Sequence, residues 1–300
     1  MNKKILIIGG TGFIGYHLAK RCIKKGWNVT SISTHKPKKI RFISKVKYVV
    51  CDITKKEKLE KKISKKFNFV VNLGGYVDHS NKKKTFKSHF LGVKNLASIL
   101  SSKSIQSFIQ IGSGGEYGKS RSPHKETYKG KPLSVYYKAK LSATSHLLKL
   151  SKTKKFPVTI LRLYQAYGPR QDFNRFIPII IKSCLKNERF PCSEGKQFRD
   201  FIFVDDVVEA IVKSLKSNKA KGQIFNIGSG KPLKIKYIIE KINKKIKKGY
   251  PLYGKVKLRK DEEIKTFPSI KKAKKLIDWK PKVSFQNGLQ KTINFYNSRV

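Results

Sequence analysis

Residues Lys3-Lys4-Ile5-Leu6-Ile7-Ile8-Gly9-Gly10-Thr11-Gly12-Phe13-Ile14-Gly15 form the first junction of the chain. A short apolar run ends in glycines and passes at once into the helical pattern Tyr16-His17-Leu18-Ala19-Lys20-Arg21-Cys22-Ile23. Strand, glycine turn and helix, in that order, are the context in which a dinucleotide-binding fingerprint carries meaning. Gly9 or Gly10 takes the tight turn. Gly12 lets a pyrophosphate approach the backbone, and Gly15 lets the helix pack closely on the strand. The first-turn N–H groups are unpaired and carry partial positive charge, so an anion is favoured beside Thr11, Phe13 and Ile14.

The pattern repeats downstream. Trp27 to Ser33 alternates and reads as a second strand. Val46 to Cys51, Phe67 to Leu73 and Ile105 to Ile111 read as three more, separated by helices over Lys55 to Lys66 and Phe86 to Leu100. Strands alternating with helices predict an α/β fold, a Rossmann-type doubly wound parallel sheet. Ligands in such a sheet sit beyond the carboxyl ends of the strands. The loops Gly74-Gly75 and Gly112-Ser113-Gly114-Gly115-Glu116-Tyr117-Gly118 fall there.

The second strand ends without the acidic residue that usually bonds the adenosine ribose; the first acidic residue of the chain is Asp52. In its place come Ser33-Thr34-His35-Lys36-Pro37-Lys38-Lys39. Small hydroxyls and cations, with His35 and Lys36 foremost, suit a 2′-phosphate, which inclines the expected cofactor from NAD to NADP. Asp52, with Ile53 after it, either caps the next helix or contacts the adenine.

Ser134-Val135-Tyr136-Tyr137-Lys138-Ala139-Lys140 opens a helix running to about Leu150. Tyr136 and Lys140 are four apart and share a face, a spacing that Tyr137 and Lys138 do not offer. A tyrosine with its ordinary pKa near 10 is a poor base at neutral pH, and a nearby cation favours the phenolate. It can then exchange a proton with an alcohol or carbonyl while hydride moves to or from nicotinamide. Ser113, at the end of the neighbouring strand, can hold the same oxygen.

These motifs together resemble the extended short-chain dehydrogenase/reductase family, in its branch of nucleotide-sugar epimerases and dehydratases. The opening glycines, Ser113 five residues before Gly118, and the Tyr136–Lys140 pair match the family's motifs in order. So do Leu161-Arg162-Leu163-Tyr164-Gln165-Ala166-Tyr167-Gly168-Pro169, Arg199-Asp200-Phe201-Ile202-Phe203-Val204-Asp205-Asp206-Val207 and Phe225-Asn226-Ile227-Gly228-Ser229-Gly230. The resemblance implies Tyr136 as general acid/base. Lys140 holds the nicotinamide ribose, Ser113 orients the reacting oxygen, and Leu73 lies against the cofactor. It implies Arg199 and Arg259 on the nucleotide diphosphate, where guanidinium forks serve better than lysine point charges. Gln165, Asn174 and Arg175 complete the expected substrate contacts. It also implies a smaller C-terminal α/β substrate domain (169–198 plus 231–300) on a cofactor domain (1–168 plus 199–230), and a homodimer.

Three departures narrow the chemistry. Family dehydratases carry an Asp-Glu or Ser-Glu pair directly after the catalytic hydroxyl, where this chain has Gly114 and Gly115; the glutamate follows at Glu116. His89 and Gln165 stand where the family often has asparagine. The expected activity is therefore a nucleotide-sugar epimerase or 4-ketoreductase acting at a hexose carbon, C4 first. A 4,6-dehydratase using a displaced Glu116 is the alternative within the family.

Composition fits an enzyme in the cytoplasm. The 300 residues are 39% apolar, enough for one large or two modest cores. No apolar run nears the roughly 20 residues of a membrane span, and the start predicts no signal peptide. Cys22, Cys51, Cys184 and Cys192 have no metal-type spacing and read as reduced thiols. The net charge of +51 invites another reading, a dinucleotide-binding sensor or nucleic-acid-associated protein. The excess is mostly lysine spread along the whole chain, so non-specific polyanion binding is the expectation.

Overall fold

The computed structural model describes residues 2–63, 66–76, 80–258 and 263–299. In chain order the strands are β1 (Lys4–Ile8), β2 (Asn28–Ser33), β3 (Val46–Val50), β4 (Phe69–Asn72), β5 (Ser107–Ser113), β6 (Val158–Leu163) and β7 (Gln165–Tyr167). They continue with β8 (Arg189–Pro191), β9 (Phe198–Phe203), β10 (Gln223–Ile227), β11 (Pro232–Lys234), β12 (Tyr250–Leu252) and β13 (Lys265–Thr266). The helices are α1 (Phe13–Lys24), α2 (Lys56–Lys62), α3 (Lys82–Phe86), α4 (Gly92–Ser101), α5 (Val135–Lys154), α6 (Phe176–Leu185), α7 (Val204–Lys216), α8 (Ile235–Ile246), α9 (Lys271–Ile277) and α10 (Phe285–Asn297).

Seven strands form one parallel sheet in the order β10-β6-β5-β4-β1-β2-β3. Helices cover both faces, so the central strands are apolar without interruption. Ile5, Leu6, Ile7 and Ile8 of β1 are all buried. One face packs on Leu18 and Ala19 of α1, Val207 and Ile211 of α7, and Trp279. The other packs on Leu59, Leu96, Ala143 and Leu147 from α2, α4 and α5. Order reverses between β1 and β4, and the glycine junction opens at that switch point.

A second sheet, β11-β9-β13 with β7 also on β9, and the pair β12-β8 lie with α6, α8 and α10 around a separate apolar cluster. The stretch from Arg199 to Gly230 thus adds only β10 as a strand of the main sheet, with α7 packed on its face, because β9 pairs in the smaller sheet. Two carboxylates join the layers. Asp200 accepts from Ser229 N at 2.6 Å and Gly230 N at 2.6 Å. Asp206 accepts from Lys282 N and Val283 N, and Trp279 Nε1 donates to the Asp206 carbonyl. The Trp279 tail is packing, as its sequence reads. Among the described residues no helix is long and apolar enough to cross a membrane.

The segment expected as one helix from Phe86 to Leu100 is built in three pieces. A single π-turn, Lys87–Leu91, joins α3 to α4. Such one-residue bulges cluster at functional sites.

Candidate active site

The site begins at the β1–α1 junction. Gly9 takes the tight turn at φ +77°, a conformation L side chains avoid. A Cβ at Gly15 would meet the Gly9 carbonyl oxygen at 2.4 Å, so α1 reaches the strand only because Gly15 has none. Gly12 is the N-cap of α1 and no side chain caps that end. A Cβ on Gly12 would touch only Gly9 O. The first-turn donors therefore border a cradle kept open by a missing side chain, which fits a dinucleotide pyrophosphate.

At the end of β2, Ser33 Oγ accepts from Thr11 N at 3.4 Å. His35 and Lys36 follow, both exposed, with Thr34 Oγ1 3.0 Å from His35 Nδ1. Asp52 does not cap α2, whose N-cap is Lys55; its carboxylate closes a local turn onto Thr54 N at 2.8 Å. The Ile53 side chain is buried against Gly92, and its carbonyl accepts from Asn95 Nδ2. Leu73 N donates to Ile8 O, and the Leu73–Gly74 backbone lies against Gly9.

The chemistry-bearing groups lie at the carboxyl end of β5. Ser113 ends the strand, and its Oγ accepts from Gly115 N at 3.2 Å. Glu116 is wholly buried. It accepts from Ser113 N at 2.8 Å and Thr144 Oγ1 at 2.9 Å, and pairs with Arg162 Nε at 3.0 Å. It braces the turn that presents Ser113.

The two glycines before it are explained by their neighbours. A Cβ at Gly114 would lie 2.7 Å from the Tyr164 ring, and one at Gly115 would lie 2.2 Å from the Tyr137 ring. Two tyrosine rings fill the space beside these glycines.

On α5, Lys140 Nζ donates to the Ile111 carbonyl at 2.8 Å and stands 5.9 Å from the Tyr136 ring centroid. Burial brings its pKa down to about 8. Tyr136 moves the other way from the expected direction. Burial, then Tyr137 and Glu116, push it well above 10, while the positive charge of Arg175 draws it down. Proximity of Lys140 does not offset desolvation here, so the hydroxyl keeps its proton at neutral pH. His89, on the π-turn, packs edge-on against Tyr136 with centroids 4.8 Å apart, and its Nε2 lies 3.1 Å from the Tyr76 carbonyl oxygen.

Gln165 is exposed on β7. Asn174 and Arg175 are exposed at the start of α6. Arg199 is half-buried and donates to Phe198 O at 2.8 Å. Arg259 lies outside the described residues.

Sequence reasoning passed over Arg41 and Asp172. Arg41, 5% exposed, pairs with Asp172 at 2.6 Å and donates to Arg170 O at 3.0 Å; its Nη1 lies 3.5 Å from Thr11 O. Arginine is scarce in this chain, so one inside a lysine run was the available signal.

A profile of the NAD dependent epimerase/dehydratase family matches residues 5–228. CDP-abequose synthase of Salmonella muenchen is 26% identical over 303 residues, covering 98% of each chain. UDP-glucose 4-epimerase of Thermotoga maritima, solved with UDP-glucose, superposes with a TM-score of 0.93 at 26% identity, over 98% of this chain and 99% of that one. UDP-glucuronic acid 4-epimerase of Bacillus cereus, solved with UDP-glucuronic acid and NAD, gives 0.88 at 26% identity, over 99% and 100%.

Proposed function

Because the chain belongs to the NAD dependent epimerase/dehydratase family, we propose that it moves hydride between a bound nicotinamide dinucleotide and a carbon of a nucleotide-linked hexose, C4 first. The carrying observation is the assembly of Ser113, Tyr136 and Lys140 at one strand end. Relatives that carry or act on nucleotide sugars support the substrate class.

The nicotinamide supplies or accepts the hydride. Tyr136 exchanges a proton with the C4 oxygen, and Ser113 Oγ holds that oxygen. Lys140 holds the nicotinamide ribose. Arg175, Arg199 and Arg259 take the diphosphate, and Asn174 and Gln165 face the base and the sugar. The Asp-Glu or Ser-Glu pair of a dehydratase is replaced by Gly114 and Gly115, and Glu116 has its oxygens engaged by Arg162, Thr144 and the Ser113 amide, which speaks against 4,6-dehydration.

Between the remaining reactions, the missing acidic residue at the end of β2 favours NADPH, and with it 4-keto reduction. We read NADP as the preferred cofactor on Ser33, His35 and Lys36, and infer a cytoplasmic homodimer. We infer also that 1–168 with 199–230 carries the cofactor, and 169–198 with 231–300 the nucleotide sugar.

The test is reduced-nicotinamide absorbance with 4-keto and ordinary nucleotide hexoses, with product masses. Stoichiometric loss of NADPH with one 4-keto sugar is expected. Isomers of equal mass without net loss identify the epimerase instead, and a product lighter by one water identifies a dehydratase. Tyr136→Phe should cut kcat by roughly 10²–10⁴-fold while cofactor affinity is retained; full activity in that variant overturns the assignment.

A further inference from the structure

The loop after β2 and the loop that enters the smaller domain are bolted together beside Thr11. Asp172 Oδ1 pairs with Arg41 Nη2 at 2.6 Å and with Lys38 Nζ at 2.9 Å. Arg170 returns the contact by donating to the Ile40 carbonyl, and Arg41 Nε donates to the Arg170 carbonyl. Burial would raise the Asp172 carboxyl, but the hydrogen bonds from Arg41 and Lys38 outweigh it and hold it below the usual carboxylate range. It is thus an anion at neutral pH.

The place of this cluster gives it meaning. In a dinucleotide fold the 2′ position of the adenosine ribose lies at the end of the second strand. Here that end is Ser33, which accepts from Thr11 N, while Arg41 reaches the carbonyl oxygen of the same Thr11. Arg41 thus reaches the residue whose amide Ser33 accepts, and Lys38 joins it on the same Asp172 carboxylate; guanidinium is well suited to a phosphate. Both are already engaged by a carboxylate from the other loop.

We propose that Asp172 sets the choice between NAD and NADP: a 2′-phosphate can take Arg41 and Lys38 only by displacing or repelling its carboxylate, whereas a 2′-hydroxyl leaves the cluster whole. This rests on the reading of the glycine junction as a dinucleotide site. The wild-type site thus holds the cations for a phosphate and a carboxylate that competes with it. The substrate loop is tied to the outcome, because Arg175 N donates to the Asp172 carbonyl at 3.1 Å.

The experiment is titration of purified protein with NADH and NADPH, read by fluorescence and by calorimetry, with no turnover needed. Asp172→Asn removes the competing charge at nearly constant shape. It should tighten NADPH by about fivefold or more, the scale of freeing one buried and one exposed cation from a competing carboxylate, and leave NADH within about twofold. Lys38→Met changes an exposed side chain (71%) and guards against a folding defect at Asp172; it should weaken NADPH by about fivefold and spare NADH. An NADPH-to-NADH ratio unchanged in both variants, or an equal loss of both nucleotides in Asp172→Asn, overturns the proposal and leaves the cluster a structural bolt. Binding of neither nucleotide by the wild type overturns the dinucleotide site itself, and this inference with it.

Discussion

Lys140 carries an ammonium to a position where 5% of the residue meets solvent, held by the Ile111 carbonyl at 2.8 Å. Its pKa of about 8 against an ordinary 10.5 fixes a sign. Below pH 8 both folded and unfolded chains hold the proton, and the full cost of burying the charge is present. Between pH 8 and 10.5 the unfolded chain binds more protons, so this group's contribution to stability rises with pH. Urea midpoints of wild type and Lys140→Met, followed from pH 7 to 10.5, should show the wild type gaining on the variant by about 3 kcal/mol. A constant gap would mean that Lys140 is not buried as a cation. At this scale the sequence was legible where partners are local. Tyr136 and Lys140 sit one turn apart, so spacing alone put them on a face. The direction of the Tyr136 shift was not legible, because desolvation depends on what the finished fold packs around it, His89 of the π-turn among its neighbours. Nor was the Arg41–Asp172 pair, whose members lie on loops that only the finished fold brings together.

The β5 turn and α5 act as one presenting element. Ser113 accepts from Gly115 N, Glu116 reaches back to Ser113 N, and the Tyr137 ring lies on Gly115. Pattern reading found the strand, the loop and the helix and noticed that the glycines replace an Asp-Glu or Ser-Glu pair. It could not show why, since the reason is the volume of two rings, Tyr137 from α5 and Tyr164 after β6. The same limit hid the π-turn at Lys87–Leu91, because inserting one residue leaves the apolar spacing of the helix almost unaltered. A consequence follows for Gly115→Ala, whose Cβ would stand 2.2 Å from the Tyr137 ring. The added methyl should destabilise by about 1–3 kcal/mol in urea unfolding. In the Tyr137→Ala background the same change should be much cheaper, giving a coupling of about 0.5–3 kcal/mol in a double-mutant cycle. Additive costs would place the strain elsewhere.

Across the whole molecule, 69 basic residues face 18 acidic ones, yet the few acidic side chains that are buried are engaged in structure: Glu116 with Arg162, Asp200 on the Ser229 turn and Asp206 on the Trp279 tail. The carboxylates hold layers together while the lysines cover the outside. The lysines are spread along the whole chain rather than gathered in one run. A polyanion should therefore bind by releasing its own counterions, with no preferred sequence and with little dependence on any one lysine. Titration of labelled duplexes of two unrelated sequences at 50 and 200 mM salt tests this. Equal affinities for both, falling about 10³-fold or more across that range, are expected if six or so phosphates are neutralised. Affinity that survives 200 mM salt and separates the two sequences would mean a shaped nucleic-acid site. The cofactor chemistry at the β1–α1 junction would then be one of two functions carried by the same sheet. Loss of binding with salt leaves the charge as a property of the surface, and the chemistry with Ser113, Tyr136 and Lys140.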